Sequence, residues 1–158
     1  MIDTKRRVVL KGSLAVGAIG AAAAGFGLLT PGMAFADWSK AAFTAKTVDA
    51  GLKDLLGTSS HEASDKIKVT APEIAENGAV VPVTVQADMD GVESISIIAP
   101  NNPTPLIASF DMGPGAIGFA STRIKMAKTG KVIAVAKVGD KLYSGSKEVK
   151  VTIGGCGG

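Results

Sequence analysis

The spacing of apolar residues along the chain changes once, near residue 58. Before that point apolar residues recur every three or four positions, as on one face of an amphipathic helix. They are Trp38, Ala42, Ala45, Val48, Leu52, Leu55 and Leu56. This spacing predicts one helix that is broken near Gly51 and ended by Gly57, followed by a polar linker at residues 58–60.

After the linker, apolar and polar residues alternate with a period of two, which is typical of half-buried strands. The alternation predicts strands at residues 66–70, 81–85, 93–98, 106–110, 118–126, 132–138 and 148–153. Turn-forming residues separate these runs, at Asn77-Gly78, Asp90-Gly91, Asn101-Asn102-Pro103, Gly113-Pro114-Gly115, Thr129-Gly130 and Gly139-Asp140. About seven short strands joined in this way predict an all-β fold, an immunoglobulin-like antiparallel β-sandwich, with a barrel as the alternative.

The first 36 residues have the layout of an export signal. A basic stretch precedes an apolar stretch rich in Ala and Gly, and Ala34 and Ala36 have the spacing of a cleavage site. Because Gly and Ala dilute the hydrophobicity, cleavage after Ala36 is predicted in preference to a permanent membrane anchor. Arg6 and Arg7, followed by Val9, resemble the twin-arginine signal, which implies export of an already folded protein to the periplasm.

The chain therefore divides into four predicted parts. These are a twin-arginine signal peptide at residues 1–36, a helical segment at 37–58, a β-sandwich at 59–153 and a C-terminal arm at 154–158. A domain of this size can bury one modest core without disulfides.

The formal net charge is +3. The whole excess lies in the signal, which holds Lys5, Arg6, Arg7 and Lys11 against Asp3, so the rest of the chain is formally neutral. Because a nucleic-acid-binding protein needs a basic surface to neutralise phosphates, this distribution argues against nucleic-acid binding.

The C-terminal arm contains the only cysteine of the chain, Cys156. Its neighbours on both sides are glycines, namely Gly154, Gly155, Gly157 and Gly158. Because glycine has no Cβ, these residues predict a flexible arm. Cys156 is three residues from Ile153, so it can stand about 10 Å clear of a body that holds Ile153, at about 3.3–3.6 Å per residue.

The strand before the arm is expected to fix its base. Val149, Val151 and Ile153 fall on one face, which the alternation predicts to be buried, and Lys150 and Thr152 fall on the other.

A lone cysteine in an exported protein cannot form an internal disulfide, so an accessible Cys156 is expected to react with other molecules. A thiol with a pKa near 8.5 is only a few per cent thiolate at pH 7, and no Arg, His or second Cys is near Cys156 in the sequence to activate it. Cys156 is therefore expected to be a poor catalyst alone and a good attachment point for other catalysts, and no catalytic residue is predicted.

Two other known motifs were compared with the same C-terminal residues. A prenylation site needs the cysteine fourth from the end, whereas Cys156 is third from the end. The terminal Gly157-Gly158 resembles the end of ubiquitin-like sulfur carriers, but the predicted sandwich and export to a compartment without ATP argue against that alternative.

The remaining chemically interesting residues are expected to have ordinary structural roles. His61 is the only histidine and is predicted to be a surface residue. Residues 88–91 superficially have the start of a calcium loop but lack its further ligands, so a β-turn is predicted. Met112 and Met126 fit core positions better than copper ligation, and no metal site is predicted. Arg123 is expected on a solvated strand face, with contact to a partner or to an anionic group on the arm as the alternative.

Several stretches of the chain resemble the SoxY family, the sulfur-carrier subunit of the bacterial thiosulfate-oxidising (Sox) system. They are the twin-arginine signal, APEIAENGAVVPVTV at residues 71–85, STRIKMA at 121–127 and KEVKVTIGGCGG at 147–158. The terminal GGCGG is the specific mark of that family and is complete here.

The resemblance implies a periplasmic sulfur carrier that is not itself an enzyme and has no cofactor besides the sulfur intermediates held covalently on Cys156. It implies an immunoglobulin-like subunit that forms a heterodimer with a SoxZ-like protein. It also implies transient contacts with a Sox cytochrome, a sulfate-releasing hydrolase and a sulfur dehydrogenase.

Two alternatives of other classes remain open from the residues alone. One is an exported immunoglobulin-like interaction module that Cys156 tethers to a partner through a disulfide. The other is a thiol-redox enzyme, which would show turnover in isolation.

Overall fold

The computed structural model describes residues 39–153. The predicted signal with Arg6 and Arg7, the first predicted helical residue, Trp38, and the arm at residues 154–158 lie outside the described residues. No helix within the described part of the chain is long and apolar enough to span a membrane.

The predicted single helix is wrong, because two helices are present: α1 at Lys40–Thr44 and α2 at Val48–Leu56. The break lies at residues 45–47 and not near Gly51. Thr44 Oγ1 donates to the carbonyl oxygens of the first turn of α1, and Thr47 Oγ accepts from the N–H of Ala50 at 3.2 Å as the N-cap of α2. The predicted stop is confirmed, since Gly57 ends α2 in the left-handed conformation (φ 80°).

Gly51 has a packing role inside α2. A Cβ at this position would lie 3.3 Å from the carbonyl oxygen of Ala42 in α1 and 3.4 Å from Cβ of Leu106. The missing side chain therefore lets α2 pack closely against α1 and the sheet, which explains why a residue that weakens helices occurs at a buried helical position.

The rest of the described chain forms nine strands. They are β1 (Glu62–Ala63), β2 (Ile67–Thr70), β3 (Ile74–Ala75), β4 (Val81–Ala87), β5 (Val92–Ile98), β6 (Leu106–Asp111), β7 (Gly118–Ile124), β8 (Gly130–Val138) and β9 (Lys141–Val151). The larger sheet has the order β1-β9-β8-β5-β6, with β3 also paired to β9, and the smaller sheet has the order β2-β4-β7.

The two sheets form the predicted immunoglobulin-like β-sandwich, so the fold class is confirmed. All the long ladders are antiparallel. The short strands β1 and β3 pair with β9 in parallel, which the sequence did not predict, because two residues are too few to show an alternation.

The last strand is longer than predicted. It begins at Lys141 and not at residue 148, and it ends at Val151 and not at Ile153. The stretch KLYSGSK at residues 141–147 has few residues that favour strands, and a glycine lies inside it. Pairing with β8 across the tight turn at Gly139-Asp140 overrides this weak local preference, since Val138 and Lys141 are direct partners.

The core lies between the two sheets. Its fully buried side chains come from both, including Val81, Val83 and Val85 of β4 and Ile95 and Ile97 of β5. A second apolar cluster lies on the outer face of the larger sheet, where the helices pack on it, and its buried members are Ala42, Leu52, Ile98, Leu106, Val135 and Leu142. The larger sheet is thus covered on both faces in this region, which explains why β5 is almost continuously buried.

One ion pair joins side chains within residues 39–153. Lys137 Nζ lies 2.7 Å from Glu93 Oε2, across the β5–β8 ladder. The hydrogen bond and charge of Lys137 lower the pKa of Glu93, and those of Glu93 raise the pKa of Lys137. The pair's attraction is therefore lost as pH falls through the lowered pKa of Glu93 or rises through the raised pKa of Lys137. Both groups are well hydrated, so the pair contributes little to stability.

Gly145 lies where β9 crosses the start of β2 in the other sheet. A Cβ there would overlap the carbonyl oxygen of Ile67 and lie 2.9 Å from its carbonyl carbon. Because these are backbone atoms, no side-chain movement could relieve the overlap.

We expect Gly145→Ala to lower the free energy of unfolding by about 1–3 kcal/mol, because the added methyl group forces the two backbones apart. Gly113→Ala is the matched control, since a Cβ at Gly113 meets nothing within 4 Å, and we expect it to change stability by less than about 0.5 kcal/mol. Urea unfolding of both variants measures the difference. Equal stabilities would contradict the close approach of β9 and β2.

Candidate functional site

The predicted attachment residue, Cys156, lies outside the described residues, together with its four flanking glycines. The part of the site that the structure describes is the base of the arm, formed by the end of β9 and the residues bonded to it. This base determines where the arm leaves the protein.

Strand β9 is held on both sides at its C-terminal end. On one side it pairs with β8 over its length, from Lys141 opposite Val138 to Val149 opposite Gly130. On the other side β3 pairs with Lys150 and Val151. The end of β9 is therefore an internal strand and not a free edge.

Hydrogen bonds hold the chain for two residues beyond β9. The N–H of Thr152 donates to the carbonyl of Ala75 at 3.1 Å, and Thr152 Oγ1 donates to the carbonyl of Glu76 at 2.9 Å. The carbonyl of Ile153 accepts from the N–H of Gly78 at 2.7 Å. Ile153, the last described residue, is therefore held in place by a backbone hydrogen bond. The arm starts from this fixed position.

Thr129 adds a side-chain bond to this base. Its Oγ1 accepts from the N–H of Val151 at 2.8 Å, and it lies 3.4 Å from the carbonyl oxygen of the same residue. The sequence analysis identified Thr129 only as a turn residue. Its contact with β9 could not be predicted from the local sequence, because 22 residues separate the two partners.

The predicted burial of one face of this strand is partly wrong. Val149 is fully buried and Val151 is half-buried, as the alternation predicts. Ile153, however, is 67% exposed, since the strand ends at Val151 and the core ends with it. Lys150 and Thr152 are exposed, as predicted.

Arg123 and His61 are both exposed, which confirms the predicted surface positions. Arg123 lies on β7 opposite Pro82 and forms no ion pair with another described residue. His61 Nδ1 lies 2.9 Å from Ser144 Oγ, so its ring is positioned by β9. Neither residue belongs to a cluster of His, Cys, Asp or Glu side chains among residues 39–153.

The two methionines are packed as predicted. Met126 is 1% exposed within the sandwich core, and Met112 packs against the same core. The stretch at residues 88–91 is the turn between β4 and β5, with Gly91 at a φ of 70°. Residues 39–153 contain no group of three or more His, Cys, Asp or Glu side chains that could hold a metal ion.

A surface groove of about 1020 Å³ lies between the β4–β5 turn and the β6–β7 loop. It is at the opposite end of the sandwich from the arm base. Strand β8 runs between the two ends. Its first residue, Gly130, pairs with Val149 at the arm base, and its last residue, Val138, pairs with Val92 at the groove. Over this strand the separation is about 26 Å, at about 3.3 Å per residue.

Comparison with known proteins identifies the family. The sequence model of one family, described as "Sulfur oxidation protein SoxY", matches residues 52–156. The chain belongs to the SoxY family. The match runs from α2 to Cys156 and so includes the whole sandwich and the arm as far as its thiol.

A solved SoxY structure agrees with this assignment. The sulfur carrier protein SoxY from Chlorobium limicola f thiosulfatophilum is 44% identical, with a TM-score of 0.62. The alignment covers 68% of this chain and 97% of that one.

A second solved chain is a distant likeness. It is a candidate superoxide reductase from Thermotoga maritima, with 15% identity, a TM-score of 0.49 and coverage of 58% of this chain and 93% of that one. No curated protein matches the chain.

We expect Thr129→Val to loosen the end of β9, because it removes the oxygen that accepts from the N–H of Val151. Loss of one net hydrogen bond of about 1 kcal/mol corresponds to about fivefold faster amide exchange at Val151. Thr129→Ser keeps the hydroxyl group and is the control, with exchange near that of the native protein. Hydrogen exchange measured by NMR tests this, and unchanged exchange in Thr129→Val would show that Thr129 does not hold the base.

Proposed function

We propose that this SoxY-family protein is a covalent sulfur carrier that holds thiosulfate-derived sulfur on Cys156 and presents it to separate enzymes. The observation that carries the proposal is the family match, which extends through the sandwich and ends at Cys156. The related Chlorobium protein is itself described as a sulfur carrier. The protein itself then performs no turnover and serves as a protein-bound substrate.

The proposed chemistry takes place on one sulfur atom. Oxidative joining forms an S–S bond between the thiol and thiosulfate, giving Cys156–S–S–SO₃⁻ and releasing one proton and two electrons, which a c-type cytochrome pair accepts. Hydrolysis by a second enzyme adds water across the S–SO₃ bond, releasing sulfate and leaving the persulfide Cys156–S–SH. A sulfur dehydrogenase or another acceptor then takes the remaining sulfane sulfur.

The base of the arm fits a carrier whose bound sulfur is processed by separate enzymes. The last anchored residue, Ile153, is three residues from Cys156, which allows a reach of about 10 Å. A thiol at that distance from the body can enter a recessed active site, where the enzyme supplies the activation that the sequence near Cys156 lacks. Ordering the glycines costs entropy on each docking, which favours release afterwards.

The proposal includes a cellular setting and a partner. The predicted twin-arginine signal with Arg6 and Arg7 places the carrier in the periplasm, and a SoxZ-like subunit forms a heterodimer with it. Export in the folded state suits a protein that is assembled with a partner before it crosses the membrane.

We expect Cys156→Ser to abolish all sulfur adducts on the protein, because the chain has no other cysteine. Intact-mass analysis of protein from thiosulfate-oxidising cells measures this, with the native protein showing sulfane and thiosulfonate adducts. A native protein that carries only a free thiol in such cells would contradict the carrier function. A single permanent disulfide partner on non-reducing electrophoresis would instead support the tethered interaction module.

We expect deletion of Gly154 and Gly155 to leave folding nearly unchanged and to impair adduct formation, because it shortens the arm by about 7 Å. Replacing both glycines by alanine keeps the length and is the matched control. Thermal unfolding and intact-mass analysis of both variants separate folding from loading. Normal loading of the deletion variant would contradict the argument from reach.

A further inference from the structure

The exposed apolar residues of the sandwich are concentrated at its two ends. Five large apolar side chains are exposed within residues 39–153: Ile74, Val80, Ile117, Phe119 and Ile153. Ile117 and Phe119 line the groove at the end far from the arm. The other three surround the base of the arm, and they are 54–67% exposed.

Backbone pairing brings these three residues together. Ile74 is the direct partner of Lys150 in the β3–β9 ladder. The carbonyl of Ile153 accepts from Gly78, which is two residues before Val80. These segments are paired neighbours, about 4.8 Å apart, so the three residues lie at the same end of the sandwich, around the point where the described chain ends at Ile153.

Basic residues lie at the same end of the sandwich. The carbonyl of Gly78 accepts from the N–H of Met126 at 2.7 Å, which places Lys125 beside the Gly78 segment that is itself bonded to Ile153. Lys128 precedes Thr129, whose side chain is bonded to the backbone of β9. We call the set Ile74, Val80, Lys125, Lys128, Lys150 and Ile153 the arm collar.

The arm collar carries an excess of positive charge. Its three lysines are exposed, and none forms an ion pair with another described residue. Arg123, at the end of β7, adds to them, while Glu73 and Glu76 are the acidic side chains of the same region. The far groove has the opposite balance, since its charged lining is Asp88, Asp90 and Glu93 against Lys66.

We propose that the arm collar is the surface on which the sulfur-processing enzymes dock, and that it fits partners whose active-site entrance has apolar contacts and an acidic rim. This inference rests on the proposed carrier function. Cys156 reaches about 10 Å from Ile153, so any enzyme that takes it into a recessed site must come into contact with the arm collar. The groove, about 26 Å away along β8, is out of reach of the arm.

The chemistry of the arm collar suits repeated, short-lived docking. Exposed lysines attract an acidic rim over the Debye length and accelerate encounter, whereas three apolar side chains give limited contact area. The same geometry requires a permanent subunit to bind elsewhere on the sandwich, because a covered arm collar would block every processing enzyme.

The test measures the initial rate of thiosulfonate formation on Cys156 by intact mass. It uses the full mature chain with its partner subunit, thiosulfate and the purified c-type cytochrome pair of the same cells. Ile74→Ser/Val80→Ser removes two of the three apolar side chains of the arm collar, and Lys125→Glu/Lys128→Glu reverses its charge. We expect each double variant to be loaded about tenfold more slowly than the native protein.

Matched controls lie at the other end of the molecule. Ile117→Ser/Phe119→Ser removes as much exposed apolar surface, and Lys66→Glu/Lys141→Glu makes the same charge change. We expect both to be loaded at the native rate. Alkylation of Cys156 by iodoacetamide should be equally fast in all variants, since it needs no docking.

Ionic strength provides a second readout. Raising the salt concentration should slow loading of the native protein, and this dependence should be lost or reversed in Lys125→Glu/Lys128→Glu, whose collar repels an acidic rim. Native loading rates in both collar variants, or equal losses in the far-end controls, would overturn the docking surface while leaving the carrier function intact. Failure of the native protein to load at all would overturn the carrier function and the docking surface together.

Discussion

The structure depends on the anchoring of strand β9. This strand pairs with β8 along its length, with β1 and β3 on its other side, and through Gly145 it approaches the backbone of β2 in the opposite sheet. Bonds from Thr129 and Gly78 extend the anchoring to Ile153. In the proposed function the base of the arm has to be fixed, because otherwise the effective concentration of the thiol at each partner's active site would fall. The sandwich provides that fixed point.

The proposed function separates the position of the Cys156 thiol from its chemical reactivity. The anchored base sets where the thiol can go, and the length of the glycine segment sets how far. In the proposed function the partner enzymes activate the thiol, since an intrinsically reactive thiol would be oxidised before it met its substrate. The described residues agree with this separation: His61 and Arg123 lie on strands or loops of the body, and their positions are those of surface residues.

The two ends of the sandwich differ in chemistry as well as in position. The end with the arm base presents exposed Ile74, Val80 and Ile153 together with exposed lysines, whereas the far end has a groove with acidic side chains. The helices cover part of the outer face of the larger sheet. These differences follow from strand order and register.

The sequence by itself determined the sandwich, the end of α2 at Gly57 and the unique cysteine set in glycines, because alternation, turn residues and composition are local properties. Only the tertiary structure decided the break between α1 and α2, the start of β9 at Lys141 and the exposure of Ile153. The bonds of Thr129 and Glu76 to the end of β9 join residues 22 and 76 positions apart. Such contacts leave no periodic signal, since they depend on how distant segments meet, and they are what fixes the base of the arm.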